Sequence, residues 1–293
     1  MLNVYEQVES NKTRSTVVIV FFIAFIFGVA YLISYLFDLG PGFTVLALVL
    51  STFSSLISYF YGDKIVLSLN HARPASREEF FDYFTVTENL ALSQGLPKPQ
   101  TFVIDSQATN AFATGRDPQH SVIAVTTGLL NKLNRTQLEG VIAHELSHIQ
   151  NYDIRLMTIV SILIGSLSIL INITTRGMFS RNRDRKNSSG GLFAIIGLVL
   201  IILAPLIAQL IQLAISRRRE YLADASGVKI TRQPQGLLEA LKIIAQDPNP
   251  LESASTATAS LYIKNPFKGN KIASLFSTHP PIEERIKALE QML

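Results

Sequence analysis

His144-Glu145-Leu146-Ser147-His148 is the stretch from which the rest of this chain is best read. On a helix, residues four apart share a face, so both imidazoles point at one ion and Glu145 stands beside them. A helix is expected here, starting near Thr136 with Glu139 as its capping partner and carrying Val141, Ile142 and Leu146 on an apolar face. The alternative is a pair of surface histidines. Val141 and Leu146 argue against it, because they place the helix partly in a core, where two imidazoles beside a carboxylate require a partner. The chain has no cysteine, so a transition metal must be held by imidazole and carboxylate. Two imidazoles and a carboxylate suit zinc, which in reactive sites takes three protein ligands and keeps one position open.

The third ligand must come from elsewhere. His71 and His120 stand in no recognisable pattern and read as surface or loop residues. Arg217-Arg218-Arg219-Glu220-Tyr221-Leu222-Ala223-Asp224 is the better source, since Glu220 and Asp224 are four apart on an expected helix. Glu220 is placed as ligand, and Asp224 as acceptor of the outer N–H of a ligating histidine, fixing its tautomer. Taken alone, the same octapeptide would read as a solvated charge cluster closing an apolar helix.

The surrounding composition points to a membrane. Charged residues make up 16% of the chain, against about a quarter in ordinary soluble domains. Four windows hold no Asp, Glu, Lys, Arg or His: Val17–Phe37, Phe43–Phe60, Leu156–Ile173 and Leu192–Ile215. At about 1.5 Å per residue the shortest would reach roughly 27 Å as a helix, close to the thickness of a bilayer core. The first is too long for a secretory signal and is followed, after Asp38 to Gly42, by a second; the pair reads as a retained helical hairpin. Net charge is +4, but cations such as Arg217, Arg218 and Arg219 flank apolar windows. Lipid headgroups account for that placement, and nucleic acid is not expected as a partner.

The chain therefore divides into an apolar hairpin (1–60), a polar block ending in the histidine motif (61–155), a second apolar pair (156–215) and a second polar block (216–293). In the first polar block, Ser76 and Glu79 fit a capping box before Phe80, Tyr83, Phe84, Thr87, Leu90 and Ala91 at helical spacing, with Gly95 as the stop. Thr101–Ile104 and Val122–Thr126 read as strands, and Asn110–Gly115 as a third strand or a turn. In the second, Gly236–Gln246 reads as a short helix, Asp247–Asn270 as a mobile loop, and Pro281 as part of the first turn of a last helix ending at Leu293.

Together, the two motifs with a hydrophobic hairpin between them resemble the HtpX-type membrane metallopeptidases, relatives of the CAAX prenyl endopeptidases. Asn110-Ala111-Phe112-Ala113-Thr114-Gly115, Val125-Thr126-Thr127-Gly128-Leu129-Leu130 and Ser277-Thr278-His279-Pro280-Pro281 extend the resemblance over nearly the whole chain. It implies a mostly α, multi-pass membrane protein of two to four transmembrane helices, with a zincin-like α+β catalytic domain carrying a small β-sheet. It implies one zinc ion per chain on His144, His148 and Glu220, with Glu145 as general base. Asn110, Ala111, Phe112 and Ala113 would hold an extended substrate by strand addition. His279 would donate to the oxyanion, and Asp153 would support ligand geometry. The implied substrates are misfolded or membrane-associated proteins.

Neither ligand pair lies inside an apolar window: His148 stands eight residues before the third and Glu220 five after the fourth. The chemistry is thus expected at the membrane surface, on the cytoplasmic side by the placement of cations. Arg176, Arg181, Arg183, Arg185 and Lys186 between the third and fourth windows conflict with that orientation if both windows cross. Two other readings keep part of this picture: a prenyl-peptide endoprotease on the same fold, and a non-catalytic scaffold with a structural zinc. The second would need a fourth ligand, for which the chain offers no evident candidate.

Overall fold

A computed structural model of the chain describes residues 4–37, 40–163, 217–251, 258–264 and 281–293. Two long helices open it, α1 (Val4–Phe37) and α2 (Pro41–Leu69), packed together as a hairpin. Their side-chain pattern is the reverse of a water-soluble pair. Val17, Val20, Tyr31, Val45, Val49, Leu50 and Phe53 point outward, whereas Thr44, Ser51, Ser55 and Ser58 face inward. The inward Ser55 and Ser58 hydroxyls donate to carbonyls one turn back, Ser51 and Ser54, so both are satisfied within the helix. Small polar residues between helices with apolar residues outside is the arrangement a lipid environment selects. Both helices are long and apolar enough to cross a membrane. Of the third apolar window, residues 156–163 are helical; the rest of it, the fourth window and the basic stretch between them lie outside the described residues.

α2 runs past the membrane-length segment into the polar domain without a break. There a four-stranded mixed sheet forms, of order β1-β2-β4-β3, from β1 (Arg73–Pro74), β2 (Gln100–Ile104), β3 (Ala111–Gly115) and β4 (Ser121–Thr126). β2 and β4 are parallel; β3 is antiparallel to β4 and lies at the edge. Every residue of β3 and β4 is buried, because both faces of the sheet are covered. On one face Val103, Ala111, Ala113, Ile123 and Val125 pack on α3 (Phe81–Ser93) and α5 (Arg135–Gln150). On the other, Ile104, Phe112, Val122 and Ala124 meet the end of α2 and Leu261 and Tyr262. Alternation along each strand thus feeds two cores.

Several boundaries expected from sequence shift, the helix expected from Gly236 beginning at Pro234 and the last helix ending at Glu290 and not Leu293. α5 begins at Arg135, next to the expected Thr136, but its cap is Asn134, in a reciprocal box with Gln137, and not Thr136 with Glu139. Asn134 reaches the free N–H groups two residues earlier than Thr136, so Glu139 is left to pair with Arg135. α3 begins at Phe81, because Ser76 caps only a preceding turn and the Glu79 carboxylate is drawn to Arg73 at 2.7 Å. Residues 258–264, expected in a mobile loop, are packed: Leu261, Tyr262 and Ile263 are buried, and Tyr262 meets Phe112 edge-on. Ser, Thr and Ala around them masked this apolar triplet.

After a short α4 (Thr127–Lys132) and α5, the chain turns at Tyr152, which takes a left-handed φ of 60°, and a helix α6 occupies 153–163. Gly62 of α2 lies against α6, where a Cβ would meet Thr158 Cγ2 at 2.7 Å. Three further helices complete the described chain: α7 (Arg217–Thr231), α8 (Pro234–Gln246) and α9 (Ile282–Glu290).

Candidate active site

α5 is buried from Gln137 to Ile149 except for Glu139, so its histidines are almost wholly withdrawn from bulk water. His144 and His148 lie one turn apart with rings edge-to-face at 4.7 Å, and their Nε2 atoms converge to 3.2 Å. α7 packs on α5 through its small residues, Ala223 and Gly227; a Cβ on Gly227 would stand 3.2 Å from the His144 backbone nitrogen. That closeness brings Glu220 into the same space, with Oε2 3.6 Å from His144 Nε2 and Oε1 3.6 Å from His148 Nε2. The three residues can each place one ligand atom within 4.8 Å of the others. The third ligand read from sequence is thus brought to the histidine pair, some seventy residues away along the chain.

Each imidazole is held from behind. Asp224 Oδ1 lies 2.9 Å from His144 Nδ1, and Asp153 Oδ2 lies 3.0 Å from His148 Nδ1. A carboxylate accepting the Nδ1–H fixes the tautomer with Nε2 free, as metal ligation requires. Behind Asp224 stands Arg285, from α9, which is fully buried. Its Nε donates to Oδ2 at 2.9 Å and its Nη2 to Oδ1 at 2.6 Å; Nη1 is 3.7 Å from Glu220 Oε2. Sequence reading missed this residue. Its only signal was a position six residues past His279, since a lone arginine in a charged terminal helix usually marks a solvated face.

Burial and charge set the protonation states. Burial lowers His144 to about 4, helped by the Arg285 guanidinium and opposed by Asp224, so this imidazole is neutral. Burial would also lower His148, but Glu220, then Asp153 and Glu145, outweigh it and raise the ring to about 9. A ring that attracts a proton because carboxylates surround it marks a pocket built for a cation. Glu145 is pushed up to about 7 by burial, with Glu220 adding and His148, Arg285 and the Ala113 N–H opposing. A carboxyl near 7 is matched to proton transfer at neutral pH.

Glu145 also links the site to the sheet edge, through the hydrogen bond from Ala113 of β3. The other residues named on this edge are engaged within the chain. The Asn110 amide donates to the Lys264 carbonyl at 2.8 Å and accepts its N–H at 3.1 Å. Ala111 accepts from the Ile263 N–H at 3.1 Å, and Phe112 points to the opposite core. His279 lies outside the described residues. His71 and His120 stand apart from the site, His120 paired with Asp117 on the surface.

Comparisons with known proteins identify the family. The model of peptidase family M48 matches residues 82–293. Over 289 residues the chain is 45% identical to a protease HtpX homolog of Dictyoglomus turgidum, covering 98% of this chain and 94% of the relative. It is 43% identical over 281 residues to another of Pyrococcus furiosus, covering 95% of each. Among solved structures it resembles Ste24p of S. mikatae, with a TM-score of 0.51 and 25% identity, covering 90% of this chain and 62% of that one. A buried His-His-Glu cluster beside a glutamate, in a chain so matched, is that of a metal-dependent peptidase: the chain belongs to peptidase family M48.

Proposed function

We propose that this protein is a membrane-anchored zinc endopeptidase that hydrolyses peptide bonds of membrane-associated or misfolded proteins at the cytoplasmic surface of the cell membrane. The observation that carries the reading is the convergence of His144 Nε2, His148 Nε2 and a Glu220 oxygen. Two nitrogens each about 2.0–2.1 Å from a tetrahedral zinc would be roughly 3.3 Å apart, and here they are 3.2 Å apart. The donor set therefore fits, and His144, His148 and Glu220 would hold the ion. When bound, zinc supplies Lewis-acid chemistry, activating water near neutral pH and polarising the scissile carbonyl.

The remaining work falls to the chain. Glu145 takes the proton of the attacking water and passes it to the leaving amine, its orientation held by the Ala113 N–H. Asp224 and Asp153 accept from the Nδ1 side of the two rings, which turns each Nε2 lone pair toward the metal position, and an Nε2 so ligated would not compete for that proton. The substrate lies extended along the β3 edge at Ala113, next to Glu145, while Asn110 and Ala111 brace that edge against residues 263 and 264. His279 supplies the donor to the developing oxyanion. The outward apolar faces of α1 and α2 support anchoring of this site at the bilayer boundary. Clearance of damaged membrane proteins is the role this placement suits.

Metal content and casein cleavage of the detergent-purified chain, with and without a chelator, test the reading. One zinc per chain and cleavage that chelator abolishes and zinc restores are expected. Chelator-insensitive cleavage, or no metal in the purified chain, would refute it.

A further inference from the structure

α1 begins before its apolar window, and this stretch brings Asn11 to the ends of the two helices that carry the ligand residues. Asn11, six residues ahead of Val17, is buried there at 3% exposure. Its Nδ2 donates to Asp153 Oδ1 at 2.7 Å and to the Asn151 carbonyl, at the end of α5, at 2.8 Å. Its Oδ1 accepts from Arg219 Nη1 at 3.4 Å, and Arg219 is the neighbour of Glu220 on α7. One amide from the first helix thus touches the ends of both elements that carry the metal ligands.

The consequence lies in the geometry of Asp153. Its Oδ2 faces His148 Nδ1 at 3.0 Å; its Oδ1 takes the Asn11 amide at 2.7 Å, with Arg219 Nη1 a weaker second partner at 3.5 Å. A carboxylate gripped at one oxygen swings about its side-chain torsions; gripped at both, its plane is fixed. A fixed Asp153 holds the His148 ring with Nε2 turned to His144 and Glu220. We infer that Asn11 is a positioning residue of the metal centre, acting on His148 through Asp153, so that α1 completes the site as well as anchoring it. This rests on the assignment of His144, His148 and Glu220 as zinc ligands.

The test is zinc affinity, measured by chelator competition on the full-length chain in detergent, in a Glu145→Gln background that cannot digest itself. Asn11→Ala is expected to weaken zinc about tenfold, the lower end for loss of a partner behind a ligand. In a chain already carrying Asp153→Ala, the same substitution is expected to change affinity less than twofold, because nothing remains for it to orient. A general packing role would give the same loss in both backgrounds and would overturn the inference, as would unchanged affinity on Asn11→Ala alone. If an alanine variant does not fold, Asn11→Leu keeps the volume and removes the amide without adding charge; it must show the same weakening, and unchanged affinity there also refutes the proposal. A His148→Ala control separates the two levels. Retention of zinc by that variant would sink the ligand assignment itself, whereas its loss alongside an indifferent Asn11 would sink only the inference.

Discussion

Arg285 grips both oxygens of Asp224, at 2.9 Å and 2.6 Å, with neither side chain reaching solvent. The pair joins the last helix to the one that carries Glu220, directly behind the His144 ring. Arg285→Ala leaves Asp224 buried without its countercharge, and breaking a buried pair from one side costs about 3–5 kcal/mol. We expect a thermal midpoint lower by several degrees and zinc weakened by at least tenfold. Wild-type melting and wild-type metal affinity in that variant would show the pair to be dispensable.

Glu145→Gln keeps the size and burial of the side chain but removes its proton affinity. Bound metal is expected at the wild-type level, while casein cleavage falls by about 10²–10⁴-fold. Purified wild type should also show self-cleavage that this variant lacks. Turnover at the wild-type rate would mean that another group is the base.

Gly140 on α5 lies tight against α8: a Cβ there would meet the Leu237 nitrogen at 2.6 Å and its Cα at 2.7 Å. Backbone, unlike a side-chain tip, has no rotamer to yield. Gly140→Ala should destabilise the fold by about 1–3 kcal/mol and displace the histidine helix, lowering activity with it. A variant as stable as wild type would show that α8 moves freely.

Asp247 ties the chain after α8 to β3 and α4. Burial would raise its pKa, but donors from Thr109 (Oγ1 at 2.7 Å), Lys132 (2.9 Å) and Asn249 hold it well below the usual carboxylate range. A depressed folded pKa contributes stability that is fully present above the unfolded value, about 3.9, and is lost as pH falls through the folded one. Asp247→Asn is thus expected to be less stable than wild type at pH 7, by about 1–3 kcal/mol. The gap should narrow steadily as the pH is lowered below about 4. A gap independent of pH would show that the charge is not what matters.

The histidine motif was legible because helical geometry is local: four residues along a helix is one turn, so the sequence spacing of His144 and His148 already states their distance. Apolar windows are legible for a similar reason, since length times rise gives a span. Glu220 was harder, and came from a second helical pair, Glu220 and Asp224, whose spacing matched what the first site needed. The cap of α5 was misread by two residues because Thr136 and Asn134 both carry capping side chains, and only the path of the preceding turn chooses between them.

What the sequence determined alone, then, is whatever depends on neighbours within a turn or two: the histidine face, the apolar lengths, the strand runs and the carboxylate beside the histidines. The tertiary structure decided the rest. Arg285 behind Asp224, Asn11 behind Asp153 and residues 263 and 264 bracing β3 each join parts of the chain 61 or more residues apart. Such contacts carry no spacing to read. They exist because a buried charge or amide must find a partner, and only the packing of helices in three dimensions says which one is within reach.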